Sequence, residues 1–358
     1  MYFPLGILYL ASSVEKAGYS VEVADLRDGG AEIPEAKFYG FSCTTPEIEY
    51  AKAIASKLKG KTIVGGAHPS LCLKDCNGYF DYVVRGEGEN VLPKILSGEM
   101  HTGIIQSSRI KDLDSIPFPA WDKLKDPFSK TLFPGERYGK GYIAATVIAS
   151  RGCPYSCSFC GNVYRAPVVF RSVGNICAEI KELMKREVNY FRFEDDNFTL
   201  HPKFRQLCNA LKKLDIHYKC HTRSDLMTSG QASMLKKSGC EECGLGVESA
   251  DDRVLKLNNK RESSMYHIRA VNILKKHDIR VKTYFIAGLP GEDKNTLLLN
   301  KKFFEFVKPD KWTLSTFTPY PGCPVYKHPD RYGIEITNKD WTKWWNFCQD
   351  SYNHVIIG

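Results

Sequence analysis

The residues best equipped for chemistry lie together in Arg151-Gly152-Cys153-Pro154-Tyr155-Ser156-Cys157-Ser158-Phe159-Cys160-Gly161. Three cysteines spaced C-x3-C-x2-C follow an apolar run, Ala145-Thr146-Val147-Ile148-Ala149, and sit among Gly, Pro and Ser. Thiolates are the ligands of iron–sulfur clusters, and a cubane closed by protein alone takes four of them. Three close thiolates without a fourth nearby therefore suggest a [4Fe–4S] cluster with one iron left open. An open position is also what separates a working metal centre from a structural one. Glycine and small side chains let such a loop wrap a bulky inorganic ligand without steric conflict. A zinc knuckle and three buried free cysteines are the other readings. Zinc calls for a fourth ligand at short spacing, and His201 and His217 lie far along the chain on separate elements.

The elements that must carry this loop are legible from periodicity. Six strand–helix units follow one another, with strands at Ala145–Ala149, Tyr190–Phe193, His217–Cys220, Gly244–Val247, Val281–Ile286 and Trp312–Phe317. Between them, Ile176, Ile180, Leu183 and Met184 fall on one helical face, as do Phe204, Leu207, Cys208 and Leu211. Repeated βα units closing around a packed interior form a TIM-like barrel, whose active site lies at the C-terminal strand ends. Those ends carry the polar residues. Strand one runs into the cysteine loop, strand two into Glu194-Asp195-Asp196-Asn197, and strand three into Thr222-Arg223-Ser224-Asp225. Strand four ends in Glu248-Ser249, strand five in Gly288-Leu289-Pro290-Gly291-Glu292, and strand six in Thr318-Pro319-Tyr320-Pro321-Gly322. Each acid alone could be a solvated loop residue or a helix cap, Asp196 and Asn197 included.

The cysteine spacing, with an aromatic residue (Phe159) before the third cysteine, resembles the signature of the radical S-adenosylmethionine (SAM) superfamily. The resemblance implies that Cys153, Cys157 and Cys160 hold a [4Fe–4S] cluster. SAM would bind its open iron and be cleaved to a 5′-deoxyadenosyl radical. It also implies roles for the strand ends. Glu194, Asp195 and Asp196 stand where the family binds the methionine amine of SAM, Arg223 would face its carboxylate, and Glu248 its ribose. Gly288 to Gly291, with Pro290, would pass close to the adenine, and Phe159 would line the same pocket. A pocket for a cationic sulfonium, an ammonium and a carboxylate needs both acids and a guanidinium.

Residues 1–99 alternate helix and strand. A helix ends at Gly18; strands are expected at Val21–Asp25, Phe38–Ser42, Thr62–Gly66 and Tyr82–Gly86, with a helix from Ile48 to Lys59. Strands running into Gly-rich turns argue for an open parallel sheet. Pro4-Leu5-Gly6, Gly65-Gly66-Ala67-His68-Pro69 and Arg85-Gly86-Glu87-Gly88-Glu89 resemble the cobalamin-binding domain that precedes the barrel in one radical SAM subgroup. The implied fold is α/β: an N-terminal Rossmann-like parallel sheet lacking its first strand, followed by a partial (β/α)6 TIM-like barrel. Gly65 and Gly66 become candidates for cobalamin contact. The D-x-H-x-x-G motif is absent, and His68, ahead of Pro69, reads as a turn residue rather than a cobalt ligand. Residues 100–143 read as a connector, kept extended by Ile116-Pro117-Phe118-Pro119. Residues 144–322 form the barrel, and 323–358 an aromatic tail with Trp341, Trp344, Trp345, Phe347 and Tyr352 that caps a core or covers an opening. Cys240 and Cys243 read as a buried core pair; Cys323, near the barrel mouth, could be an acceptor or extra ligand.

A chain of 358 residues suffices for two domains. Its net charge of +9 is spread over helix faces such as Lys181, Lys185, Lys212 and Lys213, which argues for solvated surfaces rather than a nucleic-acid groove. No run reaches the length of a membrane span without a charge or a turn. The thirteen cysteines are odd in number and follow no basic signal region, which fits a reducing cytoplasm. The leading expectation is a radical SAM enzyme, fed by a reductant such as flavodoxin or ferredoxin, that acts on a small-molecule or peptide substrate and can pass a methyl group from cobalamin. The alternatives are the same chemistry without cobalamin, ending in oxidation, cyclisation or sulfur insertion, and a non-catalytic iron–sulfur protein or fragment.

Overall fold

The computed structural model describes residues 4–26, 32–124, 128, 143–338, 340–344 and, for the backbone, 348–350. Its first part holds α1 (Leu5–Lys16), β1 (Phe38–Ser42), α2 (Ile48–Ala55), β2 (Lys61–Gly65), α3 (Ala67–Leu71), α4 (Leu73–Cys76), β3 (Tyr82–Arg85), α5 (Leu92–Leu96) and β4 (Gly103–Gln106). The four strands pair in parallel in the order β1-β2-β3-β4. Successive strand residues point to opposite faces, so Val64 and Val83 pack with Ile48 and Ala51 of α2 on one side. Ile63, Tyr82 and Val84 pack with Ile95 of α5 on the other. Both faces are covered, as a parallel sheet requires.

Two expectations for this region are corrected. Residues 21–26, expected to include a strand, carry no regular structure. In the doubly wound order 2-1-3-4-5, the second and third strands both pair on the strand preceding the first helix. No such strand is present among the described residues, so β1 is a sheet edge and Val21–Asp25 has no ladder to join. Conversely, β4 lies inside the stretch assigned to the connector and pairs with β3 from Tyr82↔Gly103 to Arg85↔Gln106. The first domain thus reaches Gln106.

The second part runs β5 (Ala144–Val147), β6 (Ser150–Arg151), β7 (Val169–Phe170), α6 (Val173–Met184), β8 (Tyr190–Phe193), α7 (Phe204–Leu214), β9 (His217–Thr222) and α8 (Ser229–Lys237). It continues with β10 (Cys240–Glu248), α9 (Asp252–Leu257), α10 (Ser264–Lys276), β11 (Arg280–Ala287), α11 (Lys294–Val307), β12 (Lys311–Thr316), α12 (Pro324–Lys327) and β13 (Cys348–Asp350). All six expected strands are present and parallel, in the order β12-β11-β10-β9-β8-β5, with β13 antiparallel on β12. The helices cover the outer face because their apolar stripes recur at i, i+3, i+4 and i+7; in α7 these are Phe204, Leu207, Cys208 and Leu211, all buried. The starts are capped locally, by Ser172 for α6, by a Thr228/Gln231 box for α8 and by an Asp293/Thr296 box for α11. Cys240 and Cys243 lie in β10, buried in the core between sheet and helices.

The inner face of the sheet differs from the apolar layers of a closed barrel. Arg192 pairs with Glu194 at 2.6 Å, Lys311 with Glu242 at 2.6 Å, and His221 stands 3.8 Å from Glu194. The lumen is polar and internally charge-paired, not a packed apolar interior.

Helix α1 ties the two parts together. Leu8 enters the barrel core, Tyr9 packs on Ile110, Leu113 and Ile116, and the Ala120 amide donates to the Leu8 carbonyl. The tail returns to the first domain: Trp341 packs against its core and lies edge-on to His68 at 5.3 Å. Trp345, Phe347 and Tyr352 lie outside the described residues.

Candidate active site

The cysteine loop is closed at its base by the short β6–β7 ribbon, with Ser150 opposite Phe170 and Arg151 opposite Val169. Gly152 follows with φ +107°, and a Cβ there would lie 2.7 Å from the carbonyl oxygens of Tyr164 and Arg165. Only glycine fits that approach. The Cys153 amide donates to the Tyr164 carbonyl at 3.1 Å, and the Arg165 guanidinium donates to the carbonyls of Tyr155 and Cys160 at 3.2 and 2.9 Å. Cys157 is buried; Cys153 and Cys160 are half-buried. Burial pushes all three thiols up, Cys160 to about 11. Without a metal they are protonated at neutral pH, so ligation must release protons.

The donor set tests the metal. Three thiolates on one loop suit a cubane with a ligand at each of three corners. Among the described residues one trio of His, Cys, Asp or Glu ligand atoms lies mutually within 4.8 Å, His68, Asp75 and Cys76, in the first domain. Cys323 is fully buried and accepts the Tyr326 amide at 3.3 Å as the cap of α12.

Three carboxylates at the end of β8 part company. Glu194 turns into the lumen toward Arg192. Asp195 is buried and accepts from the Ala149 amide with both oxygens, at 3.1 and 3.0 Å, and from the Ser150 hydroxyl. Burial raises its carboxyl to about 6. Asp196 alone is exposed; it accepts from Asn162 Nδ2 at 3.0 Å and faces the side where the cysteines lie. Asn197, offered by sequence as a cap, instead donates from Nδ2 to Cys153 Sγ at 3.4 Å.

Arg223 is buried with the Tyr155 ring 3.8 Å from its guanidinium. Its Nε and Nη2 hold Asp225 at 3.0 and 3.2 Å, and Nη2 also reaches the Lys260 carbonyl at 2.9 Å. Glu248, at φ +64°, ends β10 and meets Lys260 Nζ at 3.2 Å. Gly288 is at φ +84° and donates to Glu292 at 2.6 Å, and the Pro290 carbonyl accepts from Asn258 Nδ2 at 2.9 Å. Phe159 is half-buried between the second and third cysteines. Gly65 and Gly66 lie apart, at the end of β2. At Gly66 (φ +100°) a Cβ would lie 2.7 Å from the Cys43 amide, so chain packing alone explains that glycine. His68 is fully buried, with Nδ1 3.2 Å from the Thr45 hydroxyl and Nε2 3.0 Å from Asp75.

Sequence reasoning passed over two sets of residues. One is the polar run Asn258–Glu262 between α9 and α10, which touches the loop at several points. The other is a buried ionic clamp from the first domain. Glu87 meets Arg109 at 2.6 Å and Arg151 at 3.0 Å, and Glu89 meets Arg151 at 2.6 Å. The available signals were the charge run itself and the paired acids of Arg85-Gly86-Glu87-Gly88-Glu89.

Comparison with known proteins agrees with this architecture. Residues 147–302 match the Radical SAM superfamily model, and residues 1–96 match the B12 binding domain model. The chain is 26% identical to bacteriochlorophyllide d C-12(1)-methyltransferase of Chlorobaculum tepidum, over 99% of this chain and 77% of that protein. It is 28% identical to an uncharacterized methyltransferase of Pyrococcus horikoshii, over 95% and 81% of the respective chains. Among solved structures, the radical S-adenosylmethionine methyltransferase TsrM of Kitasatospora setae superposes with a TM-score of 0.71 at 14% identity, covering 94% of this chain and 75% of that one. The three-cysteine loop on a parallel barrel, behind a sheet of the B12-binding family, places this chain in the radical SAM superfamily, in the subgroup that carries a B12-binding domain.

Proposed function

We propose that the protein is a cobalamin-dependent radical SAM methyltransferase acting on an unactivated carbon. The observation that carries this reading is the direct docking of the B12-family domain on the cluster loop, through Glu87 and Glu89 to Arg151, two residues before Cys153. That contact sets the C-terminal edge of the first sheet, where doubly wound sheets bind ligands, against the barrel mouth. When bound, the cluster supplies the electron that splits the SAM sulfonium, and cobalamin supplies the transferable methyl group. The chain's own residues divide the remaining work. Cys153, Cys157 and Cys160 hold the cluster, and Phe159 lines the SAM pocket. Asp196 is the β8 carboxylate free to take the SAM amine, since Glu194 and Asp195 are engaged within the protein. Arg223 keeps Nη1 for the SAM carboxylate while Nε and Nη2 anchor it. Glu248 meets the ribose, and Gly288 to Pro290 pass the adenine. If cobalamin binds here, His68 is not its cobalt ligand, because both ring nitrogens are engaged.

A second reading, radical SAM chemistry without bound cobalamin, is favoured by one observation: Gly66 and His68 are engaged within the chain itself, Gly66 in its close approach to Cys43 and His68 with Thr45 and Asp75. Cobalamin retained through gel filtration selects the first reading, and its loss selects the second. For either, a flavodoxin or ferredoxin in a reducing cytoplasm is the fitting reductant, in keeping with twelve free cysteines among the described residues. No helix among the described residues is long and apolar enough to cross a membrane. Anaerobic reconstitution with dithionite and SAM is expected to yield 5′-deoxyadenosine. Cys157→Ala is expected to abolish both this product and the brown iron–sulfur absorbance. An unchanged spectrum would remove the ligand set and the function with it.

A further inference from the structure

The run Asn258-Asn259-Lys260-Arg261-Glu262 joins α9 to α10 on the barrel's active face, and its bonds point to the cysteine loop. The Asn258 carbonyl accepts the Ser158 amide at 2.9 Å, and its side-chain oxygen accepts the Ser158 hydroxyl at 3.1 Å. Asn259 Nδ2 donates to the carbonyl and hydroxyl of Ser156, both at 2.9 Å. The two residues flanking Cys157 are therefore held from a segment about a hundred positions away. Asn259 (φ 51°) and Arg261 (φ 57°) both adopt left-handed backbone, as Glu248 does. For a residue without Asn's tolerance this costs about 1 kcal/mol or more, and it persists where surrounding contacts enforce it.

Between those two residues stands Lys260, buried, with Nζ 3.2 Å from Glu248 Oε1 and 3.2 Å from Glu262 Oε2. Glu262 also faces Arg223 at 3.4 Å and accepts the Asp225 amide at 2.9 Å. Room for the pair depends on Gly246, where a Cβ would lie 2.6 Å from Glu248 Oε1 and 3.2 Å from Lys260 Nζ. The bonds of Asn258 and Asn259 to the residues on either side of Cys157 bring Lys260 to the cysteine's side of the site, where it is the largest positive influence on that thiol. Behind it, His267 bonds the Ser224 hydroxyl at 2.8 Å and is kept neutral by burial.

We infer that Asn258–Glu262 is a second strap on the cluster loop and that Lys260 is its positioning residue, holding the Glu248 carboxylate in place for SAM and setting a positive charge beside Cys157. This rests on the radical SAM reading of the site. Removing the ammonium leaves Glu248 and Glu262 facing one another in a buried space, where two carboxylates cannot both stay ionised and in place. Affinity for SAM falls as Glu248 moves. Cluster reduction adds negative charge, so loss of a neighbouring cation makes the potential more negative.

The test compares wild type, K260M, K260R and E262Q as full chains reconstituted anaerobically with iron and sulfide. The readouts are iron content, the cluster midpoint potential followed by electron paramagnetic resonance, and KM for SAM against kcat for 5′-deoxyadenosine. K260M is expected to raise KM about tenfold, as loss of a charge-assisted hydrogen bond does, with a smaller effect on kcat and a more negative potential; K260R restores both. Loss of the cluster in K260M but not in K260R likewise supports the strap. A K260M protein with wild-type KM and potential overturns it. Should K260M not fold, E262Q decides: removing a negative charge is expected to shift the potential upward, and an unmoved potential overturns the inference. A wild type that takes up no cluster refutes the functional reading instead, so the two failures are distinct.

Discussion

Asp195 shows how little a run of acids reveals about its members. Strand alternation sends Glu194 into the lumen and Asp195 against the start of the cysteine loop, and leaves Asp196 open. The sequence marks all three as equivalent, because alternation predicts faces but not which neighbour fills each face. Burial lifts the Asp195 carboxyl from 3.8 to about 6, against the pull of its bonds to Ala149 and Ser150. Between these values the folded protein binds a proton that the unfolded chain does not. This group's contribution therefore favours folding fully below pH 3.8 and is lost as pH rises through about 6. Asp195→Asn is expected to flatten stability across that window. It should also cost about 1–3 kcal/mol near neutrality, because the amide cannot accept from Ala149 with both atoms. Urea denaturation of both proteins from pH 4 to pH 7 measures both effects.

At the scale of elements, the barrel was the readable part. Its six strands and the stripes of α6 and α7 were visible because local period and tertiary role agree there. What stayed hidden depended on non-local partners. Residues 21–25 have β-branched alternation but no strand paired beside them among the described residues, whereas β4 is four residues, Gly103-Ile104-Ile105-Gln106, that read as connector until β3 is alongside. Asn258–Glu262 looks like an ordinary solvated charge run until Ser156 and Ser158 are placed against it. The loop's closure, by contrast, hangs on one backbone position. Gly152→Ala at φ +107° sets a methyl against two carbonyl oxygens. It is expected to strain the loop by more than about 1 kcal/mol and to lower the iron bound per protein after anaerobic reconstitution. Full iron loading in this variant would show that the β6–β7 closure is not what shapes the ligand loop.

Across the whole molecule, the domains meet through charge as well as through apolar packing. Arg151 is shared between Glu87 and Glu89, with Arg109 as a second cation and the Tyr9 ring 5.2 Å from the guanidinium. Breaking a buried pair by removing one partner strands the other charge, at about 3–5 kcal/mol. Arg151→Met is expected to cost about 3 kcal/mol, near the lower end because Arg109 remains beside Glu87. Chemical denaturation measures this, and an unchanged midpoint would mean the clamp contributes nothing net. The clamp also has a thermodynamic corollary, since the residue gripped by the first domain stands two positions from the first cysteine. Anything that orders that backbone from one side lowers the entropic cost of ordering it from the other. Metal uptake and domain docking must then favour each other by the same free energy, whichever comes first. Iron-free protein should hold its first domain more loosely, and protein whose first domain is undocked should take up iron less readily.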